Sequence, residues 1–223
     1  MVKHGTFSIL AISKDGRSMG VAVASGSTAV GLRVPHATPG VGVIATQAYT
    51  NVAYGTEGLK LLASGLTPDQ ALKRLLAEDP QREIRQVAIM DFAGRKAVFT
   101  GAKTPRERGE IVGEDYVVIG NFLRSVKVLE NMAECFKKTH GTFALRLLEA
   151  LKAGSESGGD KRGEKSAALT VVNRTRVLLS LRVDESSNPI QELMDALRKH
   201  LNITRNEKPT LYKTGKANCI GKP

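Results

Sequence analysis

The order in which buried strands and helices follow one another is the feature that most limits what this chain can fold into. Strand-like runs that are apolar on both faces come in groups, and the helical runs between them come in adjacent pairs. Residues 6–13, apolar at Phe7, Ile9, Leu10, Ala11 and Ile12, and residues 19–24 flank the turn signal Lys14-Asp15-Gly16-Arg17 and read as a β-hairpin. A strand at 42–48 ends in the polar set Thr46, Gln47, Thr50 and Asn51. Two helices follow around Gly65, one over 53–64 and one with Thr67 as N-cap and Pro68 at its first position. Strand, turn and strand at 85–100, a charged loop at 103–114 and a strand at 116–119 lead to Gly120-Asn121. A second helix pair, 126–138 and 142–151, surrounds Gly141. Residues 155–165 have the composition of a linker, but strands resume at 167–172 and 177–183, before a last amphipathic helix at 189–201.

Strands apolar on both faces are covered on both sides. Helices arriving in pairs, not one per strand, disfavour a doubly wound βαβ sheet. The order predicts an α+β fold, a four-layer αββα sandwich in which two stacked, mostly antiparallel sheets lie between helix layers. One domain is expected over residues 1–201, with residues 1–5 as a propeptide if they are removed. A basic polar tail follows at 202–223.

Composition narrows the function classes. The net charge of +11 permits attraction to nucleic acid, but the basic residues are scattered without a run, so the charge reads as a solvated surface and no nucleic-acid partner is expected. With no Trp and few aromatics, a pocket walled by stacked rings is not expected. Cys135 and Cys219 belong to no CxxC and no His/Cys cluster; they read as free thiols, with no metal. His4, His36, His140 and His200 form no recognisable triad, and no phosphate loop or dinucleotide fingerprint occurs, so no cofactor is expected. No apolar run approaches ~18 residues, and Met1-Val2-Lys3-His4-Gly5 is not a signal peptide. A soluble cytoplasmic protein with no membrane partner is the expectation.

The residue that carries chemistry is Thr6, a hydroxyl at the head of the first strand with Gly5 directly before it. If the Gly5–Thr6 bond is cut, the freed α-amine stands beside the hydroxyl as a general base, with an ordinary pKa of ~7.7–8.0. If it is not cut, Thr6 is a strand residue of good β-propensity. Ser25, at the end of the second strand, reads as a polar group near that amine or as a strand-end serine bonding the backbone. Gln47 reads as an oxyanion or substrate donor, or as a satisfied buried amide. Asn121 reads first as the N-cap of the following helix, whose N-terminus could stabilise an anion. Asp160 and Ser166 read as groups orienting the amine, or as turn residues. Arg162 pairs with Asp160 or binds a substrate carboxylate. Thr46 and Asn51 are candidate substrate contacts.

An αββα order with a threonine heading the first strand resembles the N-terminal-nucleophile (Ntn) hydrolases. More narrowly, Thr6-Phe7-Ser8-Ile9, residues 20–25 and 40–47, Asn51-Val52-Ala53-Tyr54-Gly55, Gly120-Asn121 and residues 158–168 resemble one Ntn-like family. It is catalogued only as the domain of unknown function "ten twenty-eight". The resemblance spans about residues 6–185 in order. It implies acyl-transfer chemistry, usually amide hydrolysis, on a small amide or peptide-like substrate. Thr6 would be the nucleophile and Ser25, Gln47, Asn121, Asp160 and Ser166 would surround it; a homo-oligomer, most simply a dimer, is expected. In many members the threonine directly follows the initiator Met, whereas this chain carries Val2-Lys3-His4-Gly5 between them. Proteasome-type relatives cut a Gly–Thr bond themselves. Their acidifying lysine has no counterpart here, Arg33 being nearest in order. The charged loop at 103–108 also departs from the family pattern. Two readings follow: an Ntn amidohydrolase processed at Gly5–Thr6, or an inactive Ntn-fold binding or assembly protein with its N-terminus uncut.

Overall fold

A computed structural model describes residues 5–201; residues 1–4 and the tail at 202–223, Cys219 included, lie outside the described residues. Strand β1 (Thr6–Ile12) and strand β2 (Ser18–Ser25) form the expected hairpin. Its turn is closed by Asp15 Oδ1, which accepts from Ser13 Oγ at 2.6 Å and from the Arg17 N–H at 3.1 Å. Gly16 between them takes φ +66°, where a side chain would be strained. The other strands are β3 (Pro35–Thr38), β4 (Gly42–Ala48), β5 (Arg85–Asp91), β6 (Lys96–Thr100), β7 (Gly109–Val112), β8 (Tyr116–Asn121), β9 (Ser166–Asn173) and β10 (Val177–Val183). They build two wholly antiparallel sheets, of order β10-β9-β2-β1-β8-β7 and β3-β4-β5-β6.

Helices α1 (Ala53–Ala63) and α2 (Pro68–Glu78) cover the smaller sheet, and α3 (Lys127–Lys138), α4 (Phe143–Glu156) and α5 (Pro189–His200) cover the larger. The four-layer αββα sandwich is therefore the observed architecture. Period-two alternation assigns each side chain to a layer. Phe7, Ile9 and Ala11 of β1 pack under α3 and α4, while Leu10 turns to the inter-sheet layer with Val43, Ala88 and Met90. Thr67 caps α2 as predicted, its Oγ1 accepting from the Gln70 N–H while the Gln70 side chain accepts from the Thr67 N–H. Among the described residues, no helix is long and apolar enough to cross a membrane.

The structure corrects several expectations. Strands β3 and β7 lie where loops were expected. Both are sheet edges, only partly buried, and so lack the apolar alternation that marks an inner strand; Pro35 opens its strand, where proline is tolerated. Helix α4 runs on to Glu156 through Gly154 and Ser155. Gly154 allows this because a Cβ there would lie 2.7 Å from Met132 Cγ, so α3 and Phe7 fill its place. Asn121 is not a helix cap: it ends β8, and α3 begins at Lys127 after Val126. The anion site imagined at that helix start is thus displaced along the chain. Cys135 is disulfide-bonded, so the free-thiol expectation does not hold for it.

Helix α1 meets the smaller sheet at Gly55, where a Cβ would sit 2.1 Å from His36 Cδ2 and 2.4 Å from His36 Nε2. Burial holds the His36 imidazole below its usual pKa, against the opposing pull of the Arg33 carbonyl 3.2 Å from Nε2. The unfolded chain therefore takes up this proton at a higher pH than the folded one, and stability drops as pH falls below about 6.5. Urea midpoints should decline across that range in the wild type and stay flatter in His36→Asn. Gly55→Ala should destabilise despite alanine's helix propensity, which offers only about 1 kcal/mol against an overpacking cost of about 1–3 kcal/mol.

Candidate functional site

Register places four predicted residues in one rank across the larger sheet. Thr6 lies opposite Ser25 on β2 and Asn121 on β8, and Ser25 lies opposite Ser166 on β9. Directly opposed residues share a face, here the face toward the second sheet. Thr6 is 3% exposed and the other three are fully buried.

A chain of amides supports this rank from the second sheet. Ser8 Oγ donates to Gln47 Oε1 at 2.6 Å. Gln47 Nε2 donates to the Thr6 carbonyl at 3.2 Å and to Gln86 Oε1 at 2.8 Å. Asn121 Nδ2 donates to the same Gln86 oxygen at 3.0 Å, and Gln86 Nε2 reaches Gly120 O at 3.0 Å. Asn121 Oδ1 is buried without a hydrogen-bond partner.

The Gly5 carbonyl, on the bond that precedes the nucleophile candidate, is held by three donors. Thr6 Oγ1 and Ser25 Oγ each donate to it at 2.6 Å, and Arg162 Nη2 donates at 3.3 Å. Thr6 Oγ1 also lies 3.1 Å from Ser25 Oγ. Asp160, 1% exposed, fixes Arg162 by accepting from its Nη2 at 2.7 Å and its Nε at 3.0 Å, and accepts from the Gly26 N–H at 2.7 Å. A Cβ on residue 5 would lie 2.5 Å from Asp160 Oδ2, so only glycine fits before Thr6.

Thr6 opens onto a cleft of about 380 Å³ that Arg33, Tyr49, Thr50, Gln81 and Arg85 also line. Arg33 donates to Ser27 Oγ, and Ser27 Oγ lies 2.9 Å from Ser25 Oγ, so a hydrogen-bond chain joins Arg33 to Thr6. Burial, and then the charge of Arg162, lower the Arg33 pKa. Behind the cleft, Arg85 Nε pairs with Asp79 at 2.8 Å. Burial alone would raise the Asp79 pKa, but hydrogen bonds from Arg85 and the Gln81 N–H hold it below the usual value. Among the described residues the four non-glycine residues at positive φ, Ala29, Ala48, Glu107 and Phe122, belong to the loops and strand ends of this same end. Each costs about 1–2 kcal/mol, and such strain gathers at functional sites. Among the described residues no group of three His, Cys, Asp or Glu could hold a metal.

The predicted residues thus fall into four groups. Thr6, Ser25 and Arg162 meet at the Gly5 carbonyl, and Asp160 holds Arg162 there. Gln47 and Asn121 stand beneath them, joined through Gln86 Oε1. Ser166 acts one step away, donating to Ser27 O at 2.5 Å and accepting from the Val30 N–H. Thr46 and Asn51 are not brought to Thr6: Thr46 Oγ1 donates to Asn51 O, and Asn51 Oδ1 accepts from the Ala53 N–H at the start of α1. Sequence inspection missed Ser27 and Gln86 and set Arg33 aside. Gln86 carried a usable signal, a lone amide opening the apolar run Val87-Ala88-Ile89-Met90.

Fold and site together define an αββα sandwich protein with a buried threonine hydroxyl at an open cleft. The chain belongs to the family of unknown function DUF1028, whose model matches residues 6–193. Protein SPO2555 from Silicibacter pomeroyi, a solved structure described by that family model, is 35% identical with a TM-score of 0.82, over 87% of this chain and 85% of that one. Anbu, the ancestral beta-subunit from Yersinia bercovieri, aligns over 88% of this chain and 94% of its own at 9% identity and a TM-score of 0.43, too distant to carry an argument. No curated protein matches the chain.

Gln47→Leu should leave Ser8 Oγ without its acceptor and remove one donor from the Thr6 carbonyl, while Gln86 Oε1 keeps Asn121 Nδ2; the expected loss of stability in urea is about 1–3 kcal/mol. Gly5→Ala should cost about 1–3 kcal/mol, because Asp160 is tied on both oxygens and cannot yield.

Proposed function

We propose that this protein is an N-terminal-nucleophile amidohydrolase acting on a small amide or peptide-like substrate, with Thr6 as nucleophile after the chain breaks its own Gly5–Thr6 bond. One observation carries the reading: the Gly5 carbonyl oxygen accepts from Ser25 and Arg162 while the Thr6 hydroxyl lies against the same carbonyl group. Donors aimed where negative charge develops are the usual largest contribution to acyl-transfer catalysis.

The step balances within these residues. Thr6 turns its proton to Ser25 Oγ and its oxygen attacks the Gly5 carbonyl carbon. Ser25 passes its own proton to the Gly5 oxygen, giving a neutral tetrahedral adduct, and Arg162 stabilises the negative charge that develops on that oxygen before the proton arrives. On collapse the adduct's hydroxyl proton moves to the Thr6 nitrogen, the C–N bond breaks, the carbonyl re-forms and an ester joins Gly5 to Thr6 Oγ1. Water hydrolyses that ester, releasing residues 1–5 as a carboxylic acid and leaving Thr6 with a free amine. The amine then serves as general base for the same hydroxyl on an external amide, through an acyl ester that water resolves. Departure of Gly5 leaves Ser25 and Arg162 without their acceptor, and a substrate carbonyl can take its place. Asp160, packed against Gly5, keeps Arg162 in place throughout.

Intact mass of purified protein tests this. A species beginning at Thr6 is expected in the wild type, none in Thr6→Ala, and processing slowed about 100-fold or more in Ser25→Ala. A wild type that stays uncut, with no activity lost in Thr6→Ala, would sink the nucleophile assignment. The second reading, an uncut binding or assembly protein, draws on the same carbonyl: three donors also satisfy a permanently buried Gly5 oxygen.

A further inference from the structure

Three guanidinium groups and two carboxylates stand around Thr6. Arg85 is neutralised by Asp79 at 2.8 Å and Arg162 by Asp160 at 2.7 Å. Among the described residues Arg33 has no acidic partner, and the charged neighbour that acts on it is another cation, Arg162. It is half-buried, so solvent only partly offsets that charge. Its hydrogen bonds go to neutral groups: Nη1 donates to Thr28 O at 2.7 Å and to Ala29 O at 3.2 Å, and Nη2 donates to Ser27 Oγ. A guanidinium has five N–H donors. The Nε–H and one Nη2–H are left over, enough for the two oxygens of one carboxylate. The residue lines the cleft onto which Thr6 opens, and a left-handed Ala29 and the Val30–Leu32 turn hold its backbone in place.

We propose that the cleft selects substrates carrying a carboxylate a few bonds from the scissile amide carbonyl, and that Arg33 is the residue that binds it. This rests on the amidohydrolase reading for the word substrate; the anion site itself does not. Arg162 is not the selecting group, because its charge is already matched by Asp160. A half-buried cation kept beside a second cation is an unfavourable arrangement that an incoming anion relieves. Arg33 also touches Ser27, so its loss alters chemistry on every substrate. The informative quantity is therefore the ratio between charged and uncharged compounds.

The test has two arms. In the first, full-length Thr6→Ala protein, which cannot react, is titrated with glutaramate and with its neutral diamide, followed by NMR or thermal shift. Glutaramate should bind and the diamide should not. Adding Arg33→Gln should weaken glutaramate by roughly tenfold or more, Arg33→Lys should retain part of the preference, and exposed Lys73→Gln should leave it unchanged. Equal binding of both compounds, or full retention in Arg33→Gln, overturns the anion site. In the second arm, wild-type protein is assayed on succinyl and glutaryl 4-nitroanilides against propionyl and butyryl 4-nitroanilides. A higher kcat/KM for the charged pair that vanishes in Arg33→Gln is expected. Hydrolysis of both pairs at equal rates overturns the selectivity while the hydrolase reading stands. Carboxylate binding in the first arm with no hydrolysis in the second, for processed protein, counts against the hydrolase reading and leaves the anion site in place.

Discussion

Polar side chains buried between two sheets must find their partners inside the protein, and this requirement shapes the end of the sandwich at which Thr6 lies. The Ser8–Gln47–Gln86–Asn121 chain spans β1, β4, β5 and β8 and so ties one sheet to the other by hydrogen bonds instead of apolar contact. Farther along the same strands Leu10, Val43, Ala88 and Met90 fill the gap as an ordinary apolar core. The apolar half supplies non-directional cohesion. The amide half fixes register, because a slip of one residue would turn Gln47 and Gln86 toward the helices and leave their partners unpaired. The carbonyl of Thr6 is itself held by Gln47. The position of the nucleophile candidate is therefore set by the sheet-to-sheet contact.

The same end concentrates features that a stability-optimised protein would avoid. It holds a buried Asn121 oxygen without a partner, four non-glycine residues in the left-handed region and two neighbouring guanidinium groups. The Gly5 seat against Asp160 adds a position at which no side chain is tolerated. Local rules broken together at one place are what a preorganised site looks like.

Charge gives the end its chemical direction. Asp79 and Asp160 each neutralise one arginine, and the remaining positive charge rests on Arg33 within reach of the cleft. The hydroxyl of Thr6 thus sits in a positive field while its hydrogen-bond partners, the Gly5 carbonyl and Ser25 Oγ, are neutral. That setting favours a developing oxyanion over a neutral carbonyl.

The sequence by itself determined the layer order. Paired helices and strands apolar on both faces leave few arrangements that bury every face, and the αββα sandwich is one. It also determined that Gly5-Thr6 heads a strand, and through local motifs the family, because Thr6, Ser25, Gln47, Asn121 and Ser166 lie at or beside strand ends, and Asp160 in the Gly-rich loop before β9, where a pattern can locate them. What those side chains bond to was decided only by tertiary structure. Asn121 had the composition of a helix cap, yet register opposite Thr6 placed it in the sheet. Thr46 sits next to Gln47 in sequence, but alternation turns it to the helix face and to Asn51. Arg33 could not be read from order, since its approach to Thr6 runs through Ser27 and Ser25 across a loop. Edge strands β3 and β7 escaped notice because half-exposed strands carry no two-sided apolar signature. A sequence pattern reports which face of an element is buried; which partner waits there depends on how distant strands are brought into register.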